Sequence, residues 1–454
     1  MTIQNQLKEQ VDTIRQAFGY INRFKNETFV IKIDSALITH PSFPILITDL
    51  ALLHKMGIRV VLVPGTTNRI NEILHSFNVK SPFVEGIRVT PLEAVPFIKM
   101  ASFDVSNKVM TLLAENNTNA IIGNWVKARC IGVRNGIDYE YSGIVDKIST
   151  PIVKKILEEG MIPIFPNIGW SPTGKPYNLS SNELAVSIAK ALKAAKLFFL
   201  TEFGGIHSKK YTVTDDTFVS DDDTIPQLTV TEAGAFIDLN STLAREPEME
   251  MVTLAYDACR SGVTRVHIVD GRIEGMLLKE IFSNRGFGTM IYSNQHENIR
   301  PMHYNDIPFV LSIMEDAVDE GILIPRTSEY LEEKVNDFVV YEVDGIIHGC
   351  GALHPYAGKT AEIAGVAVDA MYANLGIGKK IISYLIEKAT KAKIKKVFVL
   401  TTQTSDWFQQ VGFKRGSREE LPAGKKEAYN QKRKSRVLFY TISRSRRSKT
   451  LVSE

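Results

Sequence analysis

The chain has 454 residues, too long for one hydrophobic core, so two or three domains are expected. Its 44% hydrophobic and 23% charged content is ordinary for a globular protein, and a net charge of +3 argues against general nucleic-acid binding. Cys130, Cys259 and Cys350 are far apart, and the nine histidines show no HxxxH or HxH spacing, so no metal is expected.

The odd, sparse cysteine set fits a reducing cytoplasm. The N-terminus lacks the apolar core of a signal peptide, and no run of about 18 apolar residues predicts a membrane span. Residues 3–24 read as an amphipathic helix, with Leu7, Val11, Ile14, Phe18 and Ile21 at helical spacing. Such an apolar face needs a partner surface, and a homo-oligomer is expected. Strands over 28–33, 59–63, 120–122, 162–165, 196–200 and 265–269 then alternate with helices near 45–55, 92–115, 149–159, 181–193 and 248–261. This alternation predicts a mostly parallel sheet with helices on both faces. The polar stretch 293–298 breaks the pattern and divides domain 1–294 from domain 295–443. Arg444, Arg446, Arg447 and Lys449 mark 444–454 as a basic, disordered tail.

In the second domain Ile363-Ala364-Gly365-Val366-Ala367-Val368 suits a buried strand. After a polar turn, Leu375-Gly376-Ile377-Gly378-Lys379 leads into a helix with Ile381, Ile382, Leu385 and Ile386 on one face. Two glycines there let backbone N–H groups approach an anion, and the helix N-terminus adds partial positive charge. A pyrophosphate fits that geometry. The same pattern serves an ordinary strand–turn–helix joint, and locally both readings stay open.

The order strand, glycine loop, helix, strand Lys396-Val397-Phe398-Val399-Leu400, then Trp407 to Phe413 resembles the GCN5-related acetyltransferases. The resemblance implies acetyl-CoA as co-substrate, with contacts at Val366, Ala367, Val368, Leu375, Gly376, Gly378 and Lys379. The backbone N–H of Val366 or Ala367 would polarise the thioester carbonyl. Ala373 stands where that family usually has Gln or Arg, so one side-chain contact is lost.

Residues 1–292 resemble the amino-acid kinase family, acetylglutamate kinase most closely. The matches include Phe29-Val30-Ile31-Lys32, Gly86-Ile87-Arg88-Val89-Thr90 and Val266-His267-Ile268-Val269-Asp270-Gly271-Arg272. The phosphate site departs from that family. Asp34-Ser35 replaces a glycine pair, Gly65-Thr66-Thr67 a glycine cluster and Asn182 a carboxylate, and no lysine lies between Glu246 and Ala255. The resemblance therefore implies a domain without kinase chemistry, either a scaffold or a ligand sensor.

The fusion is similar to the bacterial N-acetylglutamate synthases over nearly the whole chain, through Gly321-Ile322-Leu323-Ile324 with Arg326, and through Tyr429 to Ser435. That resemblance implies an α/β architecture: a three-layer αβα amino-acid kinase-like domain plus a mixed α/β GCN5-related N-acetyltransferase domain. It implies acetyl transfer to the α-amine of L-glutamate, giving N-acetyl-L-glutamate for arginine biosynthesis, without a covalent enzyme intermediate. Glutamate is a dianion, and arginine forks suit its carboxylates. Leu323, Arg326, Arg433 and Ser435 are the candidate contacts. Either arginine also suits a surface ion pair, Arg433 being the expected clamp. The family often has two consecutive arginines where this chain reads Pro325-Arg326, so which residue there holds substrate is open. Glu362 is the candidate base, or a solvated strand-edge glutamate. Thr401 would place water or the leaving thiolate, whereas Trp407 and Phe408 suit the core.

L-Arginine is the effector implied, and inhibition the expected sign. Its two charged ends need an anion and a cation held apart. Tyr20, Lys196, His267, Glu280 and Gly286 match the arginine site of sensitive acetylglutamate kinases. Glu280 and Lys196 also suit exposed charges on a scaffold. Two rivals stand beside this reading: a bifunctional synthase and kinase, and a non-catalytic arginine-binding regulator.

Overall fold

The structure is a computed structural model that describes residues 24–214, 217–220, 222–282, 287–293, 297–343, 346–369 and 376–442, with Phe18, Tyr20 and Ile21. Of the helix expected over 3–24, Phe18, Tyr20, Ile21 and Phe24 are described and helical. Its remainder, with Gly286, Leu375 and the tail 444–454, lies outside the described residues. The chain divides into two units, residues 1–294 and 295–454.

Among the described residues the main sheet of the first unit has eight strands: β1 (Thr28–Ile33), β2 (Arg59–Pro64), β3 (Ala120–Ile122), β4 (Ile162–Ile164), β5 (Lys196–Thr201), β6 (Gln227–Thr229), β7 (Arg265–Asp270) and β8 (Thr289–Tyr292). Their order is β6-β8-β7-β5-β1-β2-β4-β3. Neighbours are parallel except β7 and β8. Side chains alternate between two buried faces. Phe29, Ile31 and Ile33 pack with helices Phe43–Lys55 and Val95–Glu115, while Val30 packs with helices Ser181–Leu192 and Pro247–Arg260. Helices therefore cover both faces, as the alternating pattern predicts. The segment expected as one helix from 92 opens as a 3₁₀ turn, Leu92–Ala94, because Pro96 starts the α-helix proper at Val95. A smaller four-stranded sheet, over Val126–Cys130, Gly143–Ile148, Ile168–Trp170 and Pro176–Asn178, has no counterpart in the sequence reading.

Among the described residues the second unit has seven strands: β9 (Glu297–Pro301), β10 (Phe338–Val343), β11 (Ile346–Tyr356), β12 (Thr360–Val368), β13 (Lys396–Thr401), β14 (Lys414–Gly416) and β15 (Arg436–Thr441). Their order is β9-β10-β11-β12-β13-β15-β14. Helix Ile377–Lys391 lays Ile377, Ile381, Ile382, Leu385 and Ala389 on one face. Helix Ile307–Asp319 covers the other with Ile307, Val310 and Met314. Among the described residues no helix is long and apolar enough to cross a membrane, and no His, Cys, Asp and Glu group could hold a metal ion.

Candidate active site

Strand β12 is central, antiparallel to β11 and parallel to β13. Its pairing with β13 covers only Thr360 to Glu362, opposite Lys396 to Phe398. The ladder with β11 breaks between Cys350 and Ala352, so Gly365 and Val366 belong to neither ladder. Core packing records the same break. Ala361 and Ile363 face the core under helix Ile377–Lys391, and after the bulge Val366 and Val368 do so. One extra residue has flipped the alternation. Gly365 has φ +60, and a Cβ there would collide with the Arg326 guanidinium. The bulge thus takes Gly365 and Val366 out of the ladder register in the middle of a sheet and seats an arginine against Gly365.

A cavity of about 530 Å³ opens at this point. Leu323, Arg326, Glu362, Arg433 and Ser435 all line it, although they come from three distant stretches of chain. Arg326 packs over the rings of Tyr330 and Phe338, 5.3 and 5.2 Å from their centroids. Its Nη1 is buried and has no hydrogen-bond partner among the described residues. Arg433 is committed instead: its Nη2 donates to the carbonyls of Gly321 and Ile322 at 3.0 and 2.5 Å. Tyr429 donates to the Ser435 carbonyl at 2.6 Å, closing the same loop.

Glu362 is only 4% exposed, which rules out the solvated strand-edge glutamate. Its Oε2 accepts from the Tyr356 hydroxyl at 3.2 Å and pairs with Lys425 Nζ at 2.7 Å. Burial, then the neighbouring Glu362 carboxylate, push the Tyr356 phenol up, so it remains a donor. Burial likewise pushes the Cys350 thiol up to about 12, which leaves no thiolate nucleophile on β11.

Other expected positions fall elsewhere. Thr401 does not line the cavity; its hydroxyl meets that of Thr404 at 2.7 Å and accepts the Thr404 N–H at 3.0 Å. It closes the turn after β13, because a threonine at a strand end finds the next backbone donors locally. The buried Ala367 joins the core under helix Ile307–Asp319 and pairs with Cys350 in the ladder with β11. Gly376, with φ +69, caps helix Ile377–Lys391, and the exposed Lys379 lies in its first turn. A Cβ on Gly378 would press on the Trp407 ring at 3.2 Å, so that glycine makes room for packing. Trp407 and Phe408 pack in that core. Lys425, Tyr356, His354 and Asp337 also line the cavity and were not singled out from the sequence. The His354–Pro355–Tyr356 run, a polar interruption facing Glu362 across the hairpin, was the available signal.

In the first unit, Lys32 pairs with Asp34 at 3.3 Å, and Asp34 caps the 3₁₀ turn Ser35–Thr39. The strand lysine is therefore already neutralised. Thr66 donates to Asn167 at 2.7 Å, and Asn182 to Glu250 at 3.0 Å. Lys196 and Glu280 are 3% and 6% exposed, so neither is a surface charge. Lys196 Nζ lies 5.1 Å from the centroid of the Tyr20 ring. Burial, then the Lys196 charge, lower His267 to about 4, so it is neutral at pH 7. Its Nδ1–H donates to Glu280 at 2.8 Å, and the Phe287 N–H donates to the other carboxylate oxygen. Lys196, His267 and Glu280 thus share one buried cluster, with the half-buried Tyr20 ring beside it.

A model described as the amino acid kinase family matches residues 27–270, and one described as the acetyltransferase (GNAT) family matches residues 309–413. The amino-acid acetyltransferase of Pasteurella multocida (strain Pm70) is 33% identical over 440 residues, covering 96% of this chain and 98% of its own. That of Vibrio vulnificus (strain CMCP6) is 32% identical, with 94% and 97% covered. The crystal structure of N-acetylglutamate synthase from Neisseria gonorrhoeae with coenzyme A and L-arginine is 30% identical, with TM-score 0.79 and 96% and 99% covered. The same synthase with coenzyme A and N-acetyl-glutamate is 31% identical, with TM-score 0.60 and the same coverage. With a kinase-fold unit, a bulged acetyltransferase sheet and relatives matched end to end, the chain belongs to the bacterial amino-acid acetyltransferases, the family of the N-acetylglutamate synthases.

Proposed function

We propose that this chain is an N-acetylglutamate synthase, moving acetyl from acetyl-CoA to the α-amine of L-glutamate. The observation that carries the proposal is the convergence of Glu362, Arg326, Arg433 and Ser435 on one cavity beside the β12 bulge. The cationic groups suit a dianion. Arg326, with a buried N–H to spare, is the natural partner of a substrate carboxylate. Glu362 lies where the ammonium of that substrate would compete with Lys425 for the same oxygen. It then accepts a proton and leaves the amine free to attack the thioester. The N–H groups of Gly365 and Val366, out of register with both neighbouring strands, can polarise the thioester carbonyl. Acetyl-CoA supplies the activated acyl group, and the glycine cap of helix Ile377–Lys391 suits its pyrophosphate.

Release of free CoA should depend on L-glutamate and not on other amino acids. Glu362→Gln should cut kcat about a hundredfold while acetyl-CoA binding persists. CoA release that ignores glutamate sinks the proposal.

The first unit we read as an L-arginine sensor. Its support is the buried cluster, where Glu280 offers a carboxylate to a guanidinium and Lys196 a cation to a carboxylate. Calorimetry on the intact protein should give heat with arginine, lost in Glu280→Gln while basal acetyl transfer persists. Wild-type protein with no heat and no rate change leaves the unit a scaffold. We also place the enzyme in the cytoplasm as a homo-oligomer. Support for the latter is the exposed apolar set Phe77, Leu92, Met100 and Phe103.

A further inference from the structure

We propose that His354, oriented by Asp337, is a second proton acceptor in the acetyl-transfer cavity, working beside Glu362. The inference rests on the acetyl-transfer reading of that cavity. His354 Nδ1 meets Asp337 Oδ2 at 2.7 Å. An ionised carboxylate can only accept, so Nδ1 carries the proton and Nε2 presents a lone pair. Nε2 is buried and has no hydrogen-bond partner among the described residues, and the ring lines the cavity. The Phe338 ring packs edge-on against the imidazole, 6.0 Å between centroids, and fixes its plane. His354 and Glu362 are direct partners across β11 and β12, so their Cβ atoms lie about 5 Å apart on one face.

The chemistry gives such a group work to do. An α-ammonium becomes an amide by losing two protons from nitrogen, one before the lone pair attacks and one after. The carbon–nitrogen bond forms as the carbon–sulfur bond breaks, and the sulfur leaves with its electron pair. The sulfur can take back one proton, and the other must leave for solvent. One carboxylate would have to discharge between the two transfers. Two adjacent acceptors hold both protons: Glu362 takes one and His354 Nε2 the other. The imidazolium so formed stays paired with Asp337, which is a positioning residue. The charged groups around the ring are Asp337 from the turn before β10, Glu362 from β12, Lys334 and Arg326 from the preceding segment, and Lys425 from helix Ala423–Glu427. Lys388 of helix Ile377–Lys391 also senses the Asp337 charge.

The test is kcat against pH for the full chain, with glutamate and acetyl-CoA as substrates. His354→Gln should lower kcat near neutral pH by about tenfold to a hundredfold, leave the KM for acetyl-CoA unchanged and respond to added imidazole. Asp337→Asn keeps the ring and should displace the acidic limb of the profile. That displacement decides the matter if His354→Gln does not fold, since a merely structural role would leave the limb in place. A His354→Gln enzyme with wild-type kcat across pH, or an Asp337→Asn profile superimposable on wild type, overturns the proposal. If wild-type protein acetylates glutamate and the variants are unaltered, only the role of His354 fails. If wild-type protein does not acetylate glutamate, both readings fail.

Discussion

Arg326 and Arg433 line one cavity but differ in what they have left to give. Arg433 spends Nη2 on the carbonyls of Gly321 and Ile322, whereas Arg326 keeps Nη1 buried and without a partner among the described residues. A buried donor without a partner costs about 1–3 kcal/mol, which a substrate carboxylate would recover. Arg326→Ala should therefore raise the KM for glutamate at least tenfold, with little change in that for acetyl-CoA. Arg433→Ala should also loosen the 321–322 turn and lower the melting temperature. Steady-state kinetics and a thermal melt on the two variants separate the roles; equal effects on both substrates for Arg326→Ala contradict this assignment. Sequence could single out Glu362 and both arginines because each stands in a recognisable phrase. It could not pair Glu362 with Lys425, whose five-residue helix, Ala423–Glu427, reaches β12 only through the fold. Thr401 also stands in a recognisable phrase, and its hydroxyl is used locally by Thr404.

At the level of the element, the bulge in β12 organises the site. Gly365 combines φ +60 with the place where the Arg326 guanidinium rests. Gly365→Ala meets both penalties, left-handed strain and displacement of Arg326, and should destabilise the protein by about 1–3 kcal/mol. It should raise the KM for glutamate as well, because Arg326 moves. Urea unfolding and kinetics check this together; an alanine variant with unchanged stability and KM means the strand has no need of the bulge. The main strands and helices were legible because their hydrophobic periods are regular and long. The bulge was not, since a run of small apolar residues buried on both faces carries no alternation to break. The four-stranded sheet of the first unit escaped because strands such as Val126–Cys130 are short and half exposed.

At the scale of the whole molecule, the two units differ in how their charged side chains are paired. In the first, the strand lysine is held by Asp34, and Asn182 binds Glu250 as a neutral amide. Neither arrangement leaves fixed positive charge for nucleotide phosphates. In the second, Arg326, Arg433, Lys425, Glu362 and His354 line one cavity beside the β12 bulge. The departures from the kinase pattern were legible as substitutions at motif positions. The burial of Lys196 and Glu280 was not, because single charged residues carry no signal of their depth. The measurement that bears most directly on the account is nuclear magnetic resonance of ¹⁵N-labelled L-glutamate incubated with the full chain, acetyl-CoA and magnesium ATP. The account predicts one α-amide ¹⁵N–¹H resonance growing one-to-one with released CoA, with ATP untouched. Release of CoA without that amide, or conversion of ATP to ADP as the amide is consumed, would contradict it.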